Sequence, residues 1–162
     1  MTIQAGDKFP VAELLHQTGT TVSKVNLHDR LAGRRVVLFG LPGAYTATCS
    51  AEHLPSFIRT ADAFRAKGID EIICVAVNDV RVMEHWGRTS GAETAGITML
   101  ADWDSQLTKA LGLEFSVPGI GFKDRMTRCA MLLEDGVVKV LQLETEKSVC
   151  DLTAGETLLE HI

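Results

Sequence analysis

Cys49, with Thr46, Thr48 and Ser50 around it, stands between a loop broken by Gly40, Pro42 and Gly43 and a helical repeat of apolar residues. A thiol near a helix N-terminus meets unpaired backbone N–H groups and the positive end of the helix dipole. Both favour the thiolate, the form in which cysteine attacks an electrophile. A loop-to-helix junction lined by hydroxyl side chains predicts an exposed sulfur, not the small buried hydrophobe that cysteine often is.

The elements that must hold this residue are legible on either side. Val36-Val37-Leu38-Phe39 is the continuous apolar run of a central parallel strand, and the glycines and proline after it predict an irregular loop. Leu54, Phe57, Ile58, Ala61 and Phe64 then recur at helical spacing. Glu71 to Val77 reads as a second buried strand, and Asp79 to about Arg88 as a helix with Val82, Met83 and Trp86 inward, ended with help from Gly87 and Gly91. Ile97 to Leu100 is a third strand, and Asp104 to Leu111 a short helix closed by Gly112. Thr127 to Leu133 and Val137 to Leu143 form a hairpin through Asp135-Gly136. Thr153-Ala154-Gly155-Glu156 has the pattern of a capping box for a last helix. Before Arg30, Thr20 to Val25 reads as a strand that extends the same domain. The order predicts one α/β domain over residues 1–162, a central mixed sheet with helices on both faces in a three-layer α/β/α sandwich.

Composition excludes several classes of function. A formal net charge of −5, with no basic cluster longer than Arg34-Arg35, gives no nucleic-acid footprint. That pair reads as a solvated strand edge. No apolar run has the length of a membrane span, and the first residues lack the basic and apolar regions of a secretory signal, so a cytoplasmic, membrane-free protein is expected. Cys49, Cys74, Cys129 and Cys150 contain no C-x-x-C pair, and His16, His28, His85 and His161 have no ligand spacing, so neither a metal nor another cofactor is expected. The sixth residue after Cys49 is Pro55, not the arginine of a thiol phosphatase, and no Gly-Lys-Ser/Thr follows Gly43 as a nucleotide loop would need.

The run Pro42-Gly43-Ala44-Tyr45-Thr46-Ala47-Thr48-Cys49-Ser50 resembles the P-G-A-F-T-P-T-C-S loop of peroxiredoxins, in the subfamily of plant type II peroxiredoxins and animal peroxiredoxin 5. Glu52-His53-Leu54-Pro55, Val75-Ala76-Val77-Asn78-Asp79, Trp86-Gly87 and Arg125-Met126-Thr127-Arg128 follow in the subfamily's order. The resemblance implies a thioredoxin-like fold and a thiol peroxidase acting on hydrogen peroxide and small alkyl hydroperoxides. By position it implies Cys49 as the peroxidatic cysteine, Thr46 as the hydroxyl that orients the peroxide and Arg128 as the cation that holds the thiolate. Pro42, Gly43, Thr48 and Arg125 take supporting roles. Ala47 stands where the family usually has proline, and Tyr45 where it has phenylalanine. Met126 and Cys129 depart from the usual neighbours of Arg128.

A sulfenic acid on Cys49 must be resolved by a second thiol. Cys150 lies in the C-terminal segment where animal members carry a resolving cysteine. Cys74 lies where plant members carry their second one, but inside an apolar strand that suits an inert thiol. Cys129 is most simply a strand residue. If none of them resolves it, the resemblance allows an outside reductant, glutathione with glutaredoxin as the expected one, or thioredoxin. His53, four residues beyond Cys49, is expected to point away from the thiol as a helix-face or interface residue. Trp86 and Trp103 are expected in packing or in an interface, since the subfamily forms dimers around these loops. A non-catalytic redox sensor or binding module on the same scaffold is the alternative.

Overall fold

Alternation along one strand shows how the core is divided. In the computed structural model, which describes residues 1–146 and 148–162, the strand Arg35–Leu41 (β3) sends Val37, Phe39 and Leu41 into one buried cluster and Val36 and Leu38 into a second. A strand buried on both faces needs helices on both faces. Two more strands precede it, Glu13–Thr18 (β1) and Thr21–Asn26 (β2), with the helix Leu27–Leu31 (α1) between them and β3. After it come the helix Leu54–Ala66 (α2), the strand Glu71–Ala76 (β4), the helix Val80–Ser90 (α3), the strand Ile97–Ala101 (β5) and the helix Gln106–Leu111 (α4). The chain ends with the strands Glu114–Val117 (β6), Phe122–Met126 (β7), Cys129–Glu134 (β8) and Val137–Leu143 (β9), then the helix Gly155–Leu159 (α5).

Seven strands form one mixed sheet in the order β2-β1-β5-β4-β3-β8-β9, and β6 pairs only with β7. The three central strands are parallel, with Phe39 beside Cys74 and Cys74 beside Met99. β8 runs antiparallel to β3 and β9 antiparallel to β8. Residues of α2, α3 and α5 (Leu54, Phe57, Met83, Trp86, Leu158) join the first cluster, and residues of α1 and α4 (Leu27, Leu31, Leu107, Leu111) the second. The expected three-layer sandwich is therefore observed. Phe39 stacks on Phe57 at 4.0 Å between centroids and Phe57 on Phe64 at 5.8 Å, which fixes α2 across β3. Each such buried ring contributes roughly 1.5–3 kcal/mol by its removal from water.

Several local expectations are corrected. β3 runs on through Gly40 to Leu41, because its neighbours on both sides continue to pair with it there. Val82 faces solvent, and the buried face of α3 is Val80, Met83, Trp86 and Gly87. Gly87 does not end α3: a Cβ there would meet Met99 Cγ at 2.6 Å, so glycine lets helix and strand approach, and Gly91 in the left-handed region closes the helix. Arg34 and Arg35 lie at the start of a central strand, not an edge. Arg34 shares the nearly buried Glu71 with Arg30, and Arg35 pairs with Glu134. Thr153 does not cap α5, whose N-cap is Ala154 without a side-chain bond. The turn at Asp135-Gly136 has positive φ at both residues, as that dipeptide predicts.

Candidate active site

The site forms where β3 leaves the sheet and the chain turns into a helix. Its first full turn, Cys49–His53, is a wide π-helical turn that runs directly into α2. Asn78, just after β4, accepts the Ala44 N–H at 2.8 Å, and Arg125 from β7 donates to the Pro42 carbonyl at 2.9 Å. These two bonds tie the 42–46 loop to neighbouring strands. Gly43 is what lets Arg125 in, since a Cβ at that position would collide with Nη1 of Arg125. Arg125 also lies over the Phe122 ring at 4.9 Å. Burial lowers its guanidinium from the ordinary value, and negative charge on Cys49 opposes that shift.

Cys49 is fully buried, contrary to the exposure expected of it. The π-helical turn aims its side chain at the sheet, where it joins the cluster around Phe39 and Leu54. Arg128, in the link between β7 and β8, is almost as buried and presents two nitrogens to the sulfur, Nη1 at 3.3 Å and Nη2 at 3.4 Å. Near-equal distances mean that the flat fork faces Sγ as a pair of donors. Such a fork compensates negative charge on sulfur and cannot give up its proton at physiological pH.

A pocket of about 200 Å³ opens beside this pair, with Thr46, Thr48 and Arg128 at its polar end and Phe115, Val117, Ile120 and Phe122 as an apolar wall. Thr46 Oγ1 donates to the Gly43 carbonyl at 2.8 Å, so its oxygen is left to accept from a molecule in the pocket. Thr48 Oγ1 donates to the Ser148 carbonyl at 2.8 Å and joins the C-terminal segment to the site. Ser50 receives the Trp86 indole N–H at 3.2 Å, so Trp86 is a packing residue, while Trp103 is exposed.

The three other thiols separate by environment. Cys74, in β4, is buried and desolvation holds its thiol well above the ordinary value. Cys129, opposite Gly40 in the β3–β8 pairing, is pushed up by burial to about 12. Cys150, expected in a polar loop, is instead buried, with Sγ 3.7 Å from Thr153 Oγ1, and burial raises it to about 11. Among the described residues no cluster of His, Cys, Asp and Glu could hold a metal ion, and no helix is long and apolar enough to cross a membrane.

His53 is the largest departure from the sequence reading. It does not point away: it is fully buried, with Nδ1 3.1 Å from Arg128 Nη1 and Nε2 3.1 Å from the Thr153 carbonyl oxygen. Four residues along a helix is a same-face spacing, so the signal was present at Cys49 and His53. The β6–β7 wall carried no comparable signal, because it reaches the site only through tertiary structure, and Asn78 is marked in the sequence only as part of the Val75–Asp79 run.

The Redoxin family model matches residues 4–159. Chloroplastic peroxiredoxin-2E-2 of Oryza sativa subsp. japonica is 42% identical over 163 residues, covering 97% of this chain and 72% of that protein. Reduced Prx3 of Vibrio vulnificus in complex with hydrogen peroxide superposes with a TM-score of 0.93 at 41% identity over 99% of both chains. Peroxiredoxin 5 of Alvinella pompejana does so with a TM-score of 0.84 at 30% identity, over 98% of this chain and 96% of that one.

Proposed function

The chain belongs to the Redoxin family and is a peroxiredoxin, a thiol peroxidase of antioxidant function, and from that premise we propose that Cys49 is its peroxidatic cysteine, served by Arg128 and Thr46. The observation that carries this assignment is the Arg128 fork at 3.3 and 3.4 Å from Cys49 Sγ at the end of the pocket. The thiolate attacks one peroxide oxygen. As the S–O bond forms, the O–O bond breaks and its electron pair goes to the leaving oxygen, which is protonated to water or an alcohol. Cys49 is left as the sulfenic acid. Arg128 offsets the charge on the nucleophile, and Thr46 Oγ accepts the peroxide O–H and so fixes which oxygen faces sulfur. Pro42, Gly43, Thr48 and Arg125 support by holding the loop: Arg125 through the Pro42 carbonyl, Thr48 through Ser148. The apolar wall suits small alkyl hydroperoxides as well as hydrogen peroxide.

The resolving thiol in this reading comes from outside, as glutathione with glutaredoxin or as thioredoxin. The high values of Cys74 and Cys150 support it, because a protonated buried thiol is a poor nucleophile. Four free cysteines suit a reducing compartment such as the cytoplasm. A homodimer is supported by the exposed rings of Tyr45 and Trp103.

The test is intact mass with thiol blocking and peptide mapping after one equivalent of hydrogen peroxide, on the wild type and on Cys49→Ser. The expected product is a Cys49 sulfenic acid that glutathione converts to a mixed disulfide, absent in the variant. A Cys49–Cys150 disulfide would overturn the external reductant. Absence of Cys49-dependent oxidation would overturn the site assignment, and oxidation of Cys49 without turnover of peroxide would favour the non-catalytic sensor.

A further inference from the structure

We propose that His53 is a positioning residue for the peroxidase step: as a neutral imidazole it accepts a hydrogen bond from Arg128 and so holds the guanidinium flat against Cys49, while the Thr153 carbonyl fixes the ring. The proposal rests on Cys49 and Arg128 having the roles assigned above. A carbonyl oxygen only accepts, so the contact of Nε2 with Thr153 O at 3.1 Å requires the proton on Nε2. In the neutral ring Nδ1 is then a lone pair, and it faces Arg128 Nη1, a donor, at 3.1 Å. One tautomer satisfies both contacts. A protonated ring would set N–H against N–H and a second positive charge beside a buried guanidinium. Burial, and then the charge of Arg128, hold the imidazole well below its ordinary value, in agreement with that geometry.

The Nη1 group has two hydrogens, one for Cys49 Sγ and one for His53 Nδ1, and the second bond removes rotation about the fork. His53 is in turn fixed on every side. Its ring packs on Phe39 at 5.2 Å and Phe57 at 5.6 Å, and its own carbonyl accepts from Ser56 Oγ at 2.6 Å. Thr153 is held by Glu144, whose Oε1 accepts the Thr153 N–H at 2.9 Å and its hydroxyl at 3.0 Å. The chain Glu144, Thr153, His53, Arg128, Cys49 thus runs from the C-terminal segment to the sulfur, and of these residues Arg128 lines the pocket while His53 does not. His53 acts through Arg128 and not on the peroxide.

Three substitutions separate positioning from packing. His53→Phe keeps a ring between Phe39 and Phe57 and loses both hydrogen bonds. His53→Asn offers an acceptor near the place of Nδ1, and His53→Gln reaches toward Thr153 but offers no acceptor at the place of Nδ1. The readout is the rate of Cys49 oxidation by hydrogen peroxide under rapid quenching and thiol blocking, beside the melting temperature of each variant. His53→Phe and His53→Gln are expected to slow about tenfold, the rate equivalent of one lost charge-assisted hydrogen bond, and His53→Asn to stay within about threefold of wild type. Should His53→Phe not fold, the Asn and Gln variants alone decide. Wild-type speed in His53→Phe or His53→Gln, or His53→Asn as slow as His53→Gln, overturns the proposal. A wild type that hydrogen peroxide does not oxidise at Cys49 would instead fail the peroxidase assignment itself.

Discussion

Ala47 is one of two side chains by which this loop departs from the usual peroxiredoxin pattern, and its position says what proline would do. Ala47 is exposed, lines the pocket and opens the helical turn that carries Cys49. Proline is well accommodated in the first turn of a helix, where its missing N–H costs no intrahelical bond. Ala47→Pro is expected to stabilise the fold by about 0.4–1 kcal/mol through the unfolded chain. By stiffening the turn it is also expected to lower the fraction of Cys49 driven to sulfinic acid by excess peroxide, measured by mass. Equal over-oxidation and an equal peroxide rate in the two proteins would show that loop stiffness at position 47 has no part in the chemistry. Tyr45, the neighbouring departure, adopts a positive φ of 63° and bonds to His85 of α3 through its hydroxyl, a contact that phenylalanine could not make.

Among the elements, the link from β9 to α5 matters most for the site, and one carboxylate organises it. Glu144 Oε1 accepts from Asp151 N at 2.6 Å as well as from both donors of Thr153, so three bonds converge on one buried oxygen. Removing the charge in Glu144→Gln is expected to cost about 1–3 kcal/mol and to speed the labelling of Cys150 by an alkylating reagent at neutral pH. Unchanged labelling would mean that Glu144 does not hold this segment shut. This link is also where sequence reasoning was weakest. The threonine at 153 had a capping pattern, but its hydroxyl is bound to Glu144, nine residues back, and a local rule sees only the local competitor. The strands and helices that carry periodic apolar residues, from Val36 to Leu111, were readable because burial on one or both faces writes that period directly. β6 and β7 were not read as strands, since they pair only with each other and stay half-buried, so Phe115 and Phe122 look like scattered surface residues until they meet over the pocket. Cys49 is legible from its place at a loop-to-helix junction, and Thr46 and Arg128 from motif resemblance. The burial of Cys49 and the place of His53 behind Arg128 depend on the π-helical turn, for which no sequence signal was read.

For the whole molecule, association and pH dependence follow from what is exposed and what is buried. Tyr45 and Trp103 are more than half exposed, and a homodimer would cover them. Light scattering during size exclusion should then give twice the chain mass at micromolar concentration, and a monomer would refute that arrangement. The buried thiols make the second prediction. Cys129 is held by burial at about 12 against an ordinary 9.0, and Cys74 is shifted the same way. A raised value means that the folded state binds the proton more tightly than the unfolded chain does. Stability from these thiols is therefore whole below about pH 9, where both states are protonated, and is lost as pH rises through the folded values, because only the unfolded thiols ionise in that window. The slope is about 1.4 kcal/mol per pH unit for each thiol caught between its two values. Urea midpoints measured at about pH 8 and about pH 10.5 should fall further in the wild type than in Cys129→Ala, which is less stable at the lower pH but has one buried proton fewer to lose. Parallel losses in the two proteins would show that the alkaline limit of this fold is set by groups other than its core thiols.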